Sequence, residues 1–201
     1  MKFKKIVKYI LNILDLKKLK RNKVLYDKDV FILGSAPNPD FSLYTKDKLL
    51  ITCNASAASA KKNGLAMPSL TIVDNELIDQ EIALSKPSRK VIIENKILEE
   101  LPLGDLIAVQ SNFSEGGYPN ILGAKYNNFL KININLRRMI LQNVLKVGWI
   151  EEDDLSLAST GGFAIALCAF LNARSITFEG FNLFQNEGND LKHFVVSFVL
   201  G

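Results

Sequence analysis

Short apolar runs, each ended by a glycine or a small polar residue, constrain the fold of this 201-residue chain more than any other feature. A continuous apolar run of about five residues, bounded by turn-forming residues, is typical of a strand buried on both faces. Four runs have this form: Asp29–Leu33, Leu49–Cys53, 69–73 and Ser175–Glu179. Residues 90–93 and 106–109 are weaker strand predictions of the same kind.

Helical segments alternate with these strands. Residues 55–62 are predicted to form a helix that stops at Asn63-Gly64, and residues 136–147 and 163–171 are predicted to form two more. Residues 111–135 are rich in Asn, Gly and Tyr and are predicted to be a loop or an irregular insertion. Strands that alternate with helices indicate an α/β fold, a Rossmann-like parallel sheet with helices on both faces.

Glycine and polar residues directly follow the predicted strands. The carboxyl ends of parallel strands share one edge of the sheet, and ligands bind in the crevice outside that edge. The residues that fall there are Gly34, Ser35, Asn54, Asp74, Asn75 and Gly180. A further cluster, Ser159-Thr160-Gly161-Gly162, opens a helix, and the N–H groups at a helix amino terminus stabilise a phosphate or a carboxylate.

Each of these residues also has an ordinary structural explanation. The Gly34-Ser35-Ala36-Pro37 loop fits either an anion-binding backbone or a plain turn between a strand and a helix. Asn54 fits either a ligand-binding amide or the N-cap of helix 55–62, and Asp74 and Asn75 share that ambiguity. The Ser159 segment fits either an anion site or an N-cap. The Gly34 loop lacks both the GxGxxG fingerprint and the P-loop lysine, which disfavours a dinucleotide site and a P-loop.

Positive charge is concentrated at the amino terminus. Residues 1–23 carry nine lysine and arginine side chains and one acid, Asp15, so their net charge is +8, whereas residues 24–201 carry −4. Because the body is not basic, a nucleic-acid groove across it is disfavoured. Residues 3–19 place apolar side chains at helical spacing opposite lysines. This basic amphipathic helix either adsorbs to anionic lipid or packs on the domain.

We therefore divide the chain into a basic amphipathic helix, 1–23, and one Rossmann-like domain, 24–201. No run of about 20 apolar residues is present to span a membrane. Asp15 and the lysines of residues 17–20 interrupt the apolar part of the amino terminus, which disfavours a signal peptide. We expect a cytoplasmic protein, peripheral on the inner face of the membrane if the helix binds lipid.

Histidine and cysteine are scarce, which limits the possible chemistry. The two cysteines, Cys53 and Cys168, each lie in an apolar segment and are predicted to be buried free thiols rather than a disulfide. No Cys/His cluster has the spacing of metal ligands. His193 is the single histidine, so it is either a general base or an incidental surface residue.

The order strand–Gly-x-x-Pro, strand–Cys-Asn, strand–Asp-Asn resembles the bacterial sialyltransferases of glycosyltransferase family 42. The strongest part of the resemblance is Ser159-Thr160-Gly161-Gly162-Phe163-Ala164-Ile165-Ala166. It is followed by strand Ser175–Glu179 and by Gly180-Phe181-Asn182-Leu183-Phe184. Together these segments look like the family's Ser/Thr-Ser-Gly, small-residue helix, strand and Gly-x-Asp-aromatic series. The resemblance extends over about residues 29–190.

This resemblance implies an inverting glycosyltransferase that transfers a sialic or related nonulosonic acid from a CMP-sugar to a glycan acceptor, such as a lipooligosaccharide or capsule. It implies no essential metal and a single Rossmann-like domain, a GT-A-like variant, with a lid. The donor-site residues that it implies are Gly34, Ser35, Asn54, Asp74, Asn75, Ser159, Thr160, Gly161, Gly180 and Asn182.

The resemblance also implies a role for each part of the site. Gly34 and Ser35 would lie along the CMP phosphate and ribose, and Asn54 would contact the nucleotide or the donor sugar. The Ser159-Thr160-Gly161 segment would hold the donor carboxylate or phosphate. Gly180 would let the cytidine approach the backbone, and His193 would take the proton from the acceptor hydroxyl.

The chain departs from the family pattern at several positions. Ser35 stands where the family has Asn, and Asp74 or Asn75 stands where one Asn is expected. Asn182 replaces the Asp after the glycine, and Phe184 stands where a phosphate-binding Tyr is expected. The family's catalytic His lies further downstream inside a lid, whereas His193 follows Phe184 by nine residues. We therefore expect a short or incomplete lid.

Two alternatives remain open. Asn63-Gly64-Leu65-Ala66-Met67-Pro68 resembles the connection before the third strand in Maf-like proteins of flagellin glycosylation, which carry a DUF115-type domain. That resemblance implies a CMP-nonulosonic acid transferase acting on protein. The other alternative is a non-catalytic remnant that binds a nucleotide.

Overall fold

The computed structural model describes Leu14, Lys17 and residues 24–36, 39–110, 117–146, 159–181 and 196–199. Its seven strands are β1 Asp29–Leu33, β2 Leu49–Cys53, β3 Leu70–Asp74, β4 Asp105–Val109, β5 Phe129–Ile132, β6 Ser175–Glu179 and β7 Val196–Val199. They form one sheet in the order β5-β4-β3-β2-β1-β6-β7. The first six strands are parallel, and β7 runs antiparallel to β6. The predicted Rossmann-like α/β fold is confirmed.

Helices cover both faces of this sheet. They are α1 Ser56–Lys62, α2 Asn75–Ile78, α3 Gln80–Ser85, α4 Pro87–Glu94, α5 Ile134–Leu145 and α6 Thr160–Phe170, with a 3₁₀ helix at Pro119–Leu122. Side chains alternate across the strands, so Val30 and Ile32 of β1 pack beneath α6 while Phe31 and Leu33 face α1. Helix α6 is apolar almost all round, and it is correspondingly buried against the sheet and α5.

The connection from β1 to β2 contains no helix in its described residues, 34–36 and 39–48. Phe41 and Tyr44 from this connection pack, together with α1, on the cluster that contains Phe31 and Leu33. The rings of Phe31 and Tyr44 meet edge to face with centroids 5.3 Å apart. The explanation of the Gly34 loop as a turn into a helix is therefore wrong for the described residues.

Two secondary-structure predictions are wrong. Residues 90–93 belong to α4, which begins at Pro87, a residue whose fixed φ suits the first position of a helix. The apolar run in α4 presents one partly buried face, because Ile92 and Ile93 pack inward while Val91 is 51% exposed. Residues 111–135 were predicted to be a loop, but they contain β5 and the start of α5. The prediction failed because β5 is a half-buried edge strand flanked by asparagines, which lacks a continuous apolar run.

Both cysteines are free and buried, as predicted. Burial raises the pKa of the Cys53 thiol to about 12 and raises that of Cys168 as well, which leaves both thiols protonated at neutral pH. No helix among the described residues is long and apolar enough to cross a membrane. Most of the amino-terminal segment 1–23 lies outside the described residues; Leu14 and Lys17 are helical and exposed.

Strand β6 has one apolar and one polar face. Ile176 and Phe178 enter the core beneath α6, whereas Ser175, Thr177 and Glu179 point to the other side. At the amino end of this polar face, Asp29 of β1 accepts hydrogen bonds from Ser175 Oγ at 2.6 Å, from Arg174 Nε at 3.0 Å and from the Arg174 Nη2. These bonds join the starts of the neighbouring strands β1 and β6.

We predict that this contact gives the fold a pH-dependent contribution. The hydrogen bonds from Arg174 and Ser175 hold the pKa of Asp29 down at about 2, against an ordinary value of 3.8. A depressed folded-state pKa stabilises the fold above the unfolded pKa, and that contribution is lost as the pH falls from about 4 towards 2.

Urea unfolding of wild type and Asp29→Asn between pH 6 and pH 2.5 measures this effect. The wild type should be the more stable at pH 6, and the difference in the free energy of unfolding between the two proteins, the gap, should shrink as Asp29 protonates. In an Arg174→Gln background the gap at pH 6 should become smaller. A gap that stays constant with pH would contradict the assignment.

Candidate functional site

The strand order reverses between β1 and β6. The chain steps outward from β1 to β5 and then returns to place β6 beside β1. In open α/β sheets such a reversal opens a ligand crevice at the carboxyl ends of the two strands. The residues directly after these two strands are Gly34 and Gly180, both of which the sequence predicts to be site residues.

Gly34 and Gly180 touch through their backbones. The Gly34 N–H donates to the Glu179 carbonyl at 2.8 Å, and the Ala36 N–H donates to the Gly180 carbonyl at 2.8 Å. A Cβ on Gly34 would lie 2.2 Å from the Gly180 carbonyl oxygen, and Gly180 itself has a φ of +76°. Glycine is thus required at both positions by the approach of the two loops, whether or not a ligand binds above them.

The ring of Phe181 brings the amino end of α6 to the same place. A Cβ on Gly161 would lie 1.8 Å from the Phe181 ring, and a Cβ on Gly34 would lie 3.2 Å from it. The ring also meets Phe178 edge to face, with centroids 5.5 Å apart. The structure therefore brings Gly34, Gly161 and Gly180 together around Phe181. Sequence reasoning named the three glycines without seeing that this aromatic joins them.

The amino terminus of α6 begins at this junction. Ser159 is its N-cap, and the Ser159 Oγ accepts from the Gly162 N–H at 3.1 Å, so the capping interpretation is confirmed. Helix geometry gives the N–H groups of Thr160 and Gly161 no acceptor within the helix. Ser159 is exposed and Thr160 is half-buried. Anion binding at this terminus stays a prediction.

Asn54 ties β2 to β3. The Asn54 Oδ1 accepts from the Asp74 N–H at 2.9 Å, and the Asn54 N–H donates to the Ile72 carbonyl at 2.9 Å. Its φ is +51°, a left-handed conformation that asparagine tolerates better than most residues. The N-cap of α1 is Ala55, which makes no side-chain cap. The N-cap interpretation of Asn54 is therefore wrong, and the ligand-binding interpretation stays a prediction.

Asp74 and Asn75 start the short helix α2. Asp74 caps it by accepting from the Glu76 N–H at 2.9 Å, and the Arg89 Nη2 lies 4.0 Å from the Asp74 carboxylate. Asn75 is fully buried. Both residues lie at the predicted edge of the sheet and contribute to its structure.

A buried arginine at the same edge escaped the sequence analysis. Arg137, in the first turns of α5, is 2% exposed. It donates from Nη1 to the Gln110 carbonyl at 2.9 Å, just past the end of β4, and its guanidinium carbon lies 5.7 Å from the centre of the Phe163 ring. Burial lowers its pKa, and the charge of Asp74 acts against that shift. Helical spacing places Arg137 on the same face as Ile140, Leu141 and Val144, so the pattern of α5 does contain a signal that could have marked it as an inward residue.

The groove found on the described surface lies away from the predicted site. A groove of about 230 Å³ lies between α4 and the 3₁₀ helix, and none of the predicted site residues lines it. Among the described ranges, no cluster of three His, Cys, Asp or Glu side chains could hold a metal. Pro37, Asn182, Phe184 and His193, and with them any lid, lie outside the described residues.

We predict opposite effects for alanine at two adjacent glycines of α6. Gly161→Ala forces a methyl group into the Phe181 ring, and overpacking of this kind costs about 1–3 kcal/mol. Gly162→Ala is the matched control, because the nearest neighbour of a Cβ there is Ser159 Oγ at 3.6 Å. That control should be neutral or stabilising by up to about 1 kcal/mol, since alanine favours a helix.

Denaturant unfolding of both variants, in wild-type and Phe181→Ala backgrounds, tests the cause of the difference. The cost of Gly161→Ala should disappear once the ring is removed. A cost that persists without the ring would show that Phe181 is not the obstacle.

Comparison of the chain with protein-family models, with curated protein sequences and with solved structures finds no match. The resemblance to family 42 sialyltransferases therefore depends on the motifs in the sequence.

Proposed function

We propose that this chain binds a CMP-sugar at the carboxyl edge of its sheet and acts as an inverting, sialyltransferase-like glycosyltransferase. The observation that carries the proposal is the meeting of Gly34, Gly180 and the amino end of α6 where the strand order reverses. Nucleotides bind at that place in open α/β sheets, and a helix amino terminus there suits their phosphate.

In this proposal, the donor phosphate lies at the amino end of α6. The Thr160 and Gly161 N–H groups and the hydroxyls of Ser159 and Thr160 are the donors that this end presents. As the glycosidic bond breaks, negative charge grows on the departing CMP. Donors that are already fixed stabilise that charge without reorganising, which lowers the barrier.

Asn54 lies two strands away from β6, on the other side of β1. Its Oδ1 is engaged by the Asp74 N–H, and no acceptor for its Nδ2 occurs among the described residues. In the proposed complex, Asn54 therefore acts as a donor and binds an acceptor atom of the nucleotide or the sugar.

The proposed chemistry needs a base for the acceptor hydroxyl, and His193 is assigned to that role. The acceptor oxygen attacks the anomeric carbon of the donor through an oxocarbenium-like transition state, CMP departs, and the hydroxyl proton passes to His193. The Maf-like alternative differs only in having a protein acceptor. A non-catalytic nucleotide-binding protein is the second candidate, because Ser159, Asn54 and Asp74 already serve the scaffold.

Calorimetric titration with CMP, and with NAD as a comparison ligand, tests the binding site. We expect CMP to bind and NAD to bind far more weakly. Thr160→Ala should weaken CMP binding by about 1–2 kcal/mol through the loss of one hydroxyl hydrogen bond. Gly162→Ala is the control and should bind as the wild type does. Tight NAD binding with no CMP binding would refute the proposal.

The variant Asn54→Asp separates the scaffold role of this residue from its ligand role. A carboxylate can still accept from the Asp74 N–H but cannot donate to a ligand. We expect Asn54→Asp to be more stable than Asn54→Ala, and both to lose CMP affinity by about tenfold, equal to 1.4 kcal/mol. Wild-type CMP affinity in Asn54→Asp would remove Asn54 from the binding site.

Turnover of a CMP-sugar separates the enzyme from the non-catalytic alternative. If His193 is the base, His193→Ala should lower turnover by about 10²–10⁴-fold. Its CMP affinity should remain close to that of the wild type, because a base for the acceptor does not contact the nucleotide. A wild-type chain that binds CMP but turns over no donor would favour the non-catalytic candidate.

A further inference from the structure

Glu179 is a buried carboxylate at the carboxyl end of β6. Its residue is 1% exposed, and it lies on the polar face of that strand, in line with Ser175 and Thr177. Burial of a carboxylate is costly unless hydrogen bonds compensate for the lost water. A buried acid next to the candidate site therefore calls for a structural or functional explanation.

Within the part of the loop after β1 that the structure describes, residues 34–36 and 39–40, three hydrogen bonds reach the Glu179-Gly180 pair. Two are made by the backbone: Gly34 N–H to the Glu179 carbonyl and Ala36 N–H to the Gly180 carbonyl, each at 2.8 Å. The third is made by the side chain, since the Asp40 N–H donates to the Glu179 Oε1 at 3.1 Å. The loop is thus held to β6 near its start by the backbone and at its far end by a carboxylate.

Asp40 also fixes the direction in which the chain leaves the loop. Its carboxylate accepts from the Ser42 N–H at 2.8 Å and from the Ser42 Oγ at 2.9 Å. Glu179 therefore anchors a local turn, and that turn leads into the segment that packs on Phe31 through Tyr44. The bond to Asp40 is accepted by a side chain, so a substitution of Glu179 can remove it while the two backbone bonds remain.

We propose that Glu179 is a positioning residue for the loop after β1. Its carboxylate holds Asp40, and thereby sets the shape in which Gly34, Ser35 and Ala36 present their backbone to a ligand. Glu179 is buried beneath the loop and does not itself contact the ligand. The identity of the ligand rests on the proposed function, whereas the constraint that Glu179 places on the loop does not.

Two variants of matched length test this role. Glu179→Gln keeps an oxygen that can accept the Asp40 N–H, whereas Glu179→Met keeps the length of the side chain and removes the acceptor. In Glu179→Met the Asp40 N–H loses its acceptor, and this loss is the effect that the comparison isolates. Asp40→Ala is a control that retains the Asp40 N–H and removes the hydrogen bonds from its carboxylate to Ser42.

The first measurement is amide hydrogen exchange by NMR, which needs no ligand. In Glu179→Met, exchange at Asp40 should rise by about tenfold, the effect of losing one hydrogen bond, while Phe31 and Ile32 of β1 remain protected. Glu179→Gln and Asp40→Ala should stay close to the wild type at Asp40. Unchanged exchange in Glu179→Met, an equal rise throughout β1, or a Gln variant that behaves like Met would overturn the proposal.

The second measurement is CMP affinity. Glu179→Met should weaken CMP binding by about tenfold, and Glu179→Gln should restore it. A loosened Asp40 with unchanged CMP affinity would overturn the positioning role. If the wild type does not bind CMP, the proposed function fails, and the exchange measurement still decides whether Glu179 holds the loop.

Discussion

The backbone contact between Gly34 and Gly180 is the constraint on which the rest of the structure depends. It occurs where the neighbouring strands β1 and β6 end, and any side chain on Gly34 would collide with the Gly180 carbonyl. The close approach allows the loop after β1 to bond to the end of β6, and it leaves Phe181 in place against Gly161. The shape of the candidate site follows from this contact, while apolar burial against the sheet holds α6 in place beside it.

Polar side chains at the carboxyl edge tie neighbouring strands to each other. Ser56 accepts from the Cys53 N–H and donates to the Leu33 carbonyl, which joins β2 to β1. Asn54 joins β2 to β3, Gln110 accepts from the Ile134 N–H, and Glu179 reaches the loop after β1. These ties hold the edge in a fixed shape before any ligand arrives, which reduces the entropy that binding must overcome.

Sequence patterns predicted the central strands well because their runs are continuous and end abruptly. The bounds of β1, β2 and β6 are as predicted. Elements that are only partly buried were harder to predict. Strand β5 has three half-buried side chains, and the apolar residues of helix α4 pack on one side only. The gathering of the glycines could be predicted, because parallel strands place their carboxyl ends together. The partners of Asn54 and Glu179 could not, because they lie 20 and 139 residues away along the chain.

The pairing of β1 with β6 has a consequence for the order of folding. Asp29 and Arg174, at the starts of these strands, are 145 residues apart, so their pairing closes a loop that contains β2 to β5. Among the pairings of neighbouring parallel strands in this sheet, the pairing of β1 with β6 closes the longest loop and therefore costs the most chain entropy. Pairing between residues far apart in sequence also slows folding. We expect β1 to β5 to assemble first, and β6 to insert beside β1 afterwards together with β7, which pairs with β6. The crevice would then exist only once folding is complete, and a partly synthesised chain that ends before Ser175 could not form it.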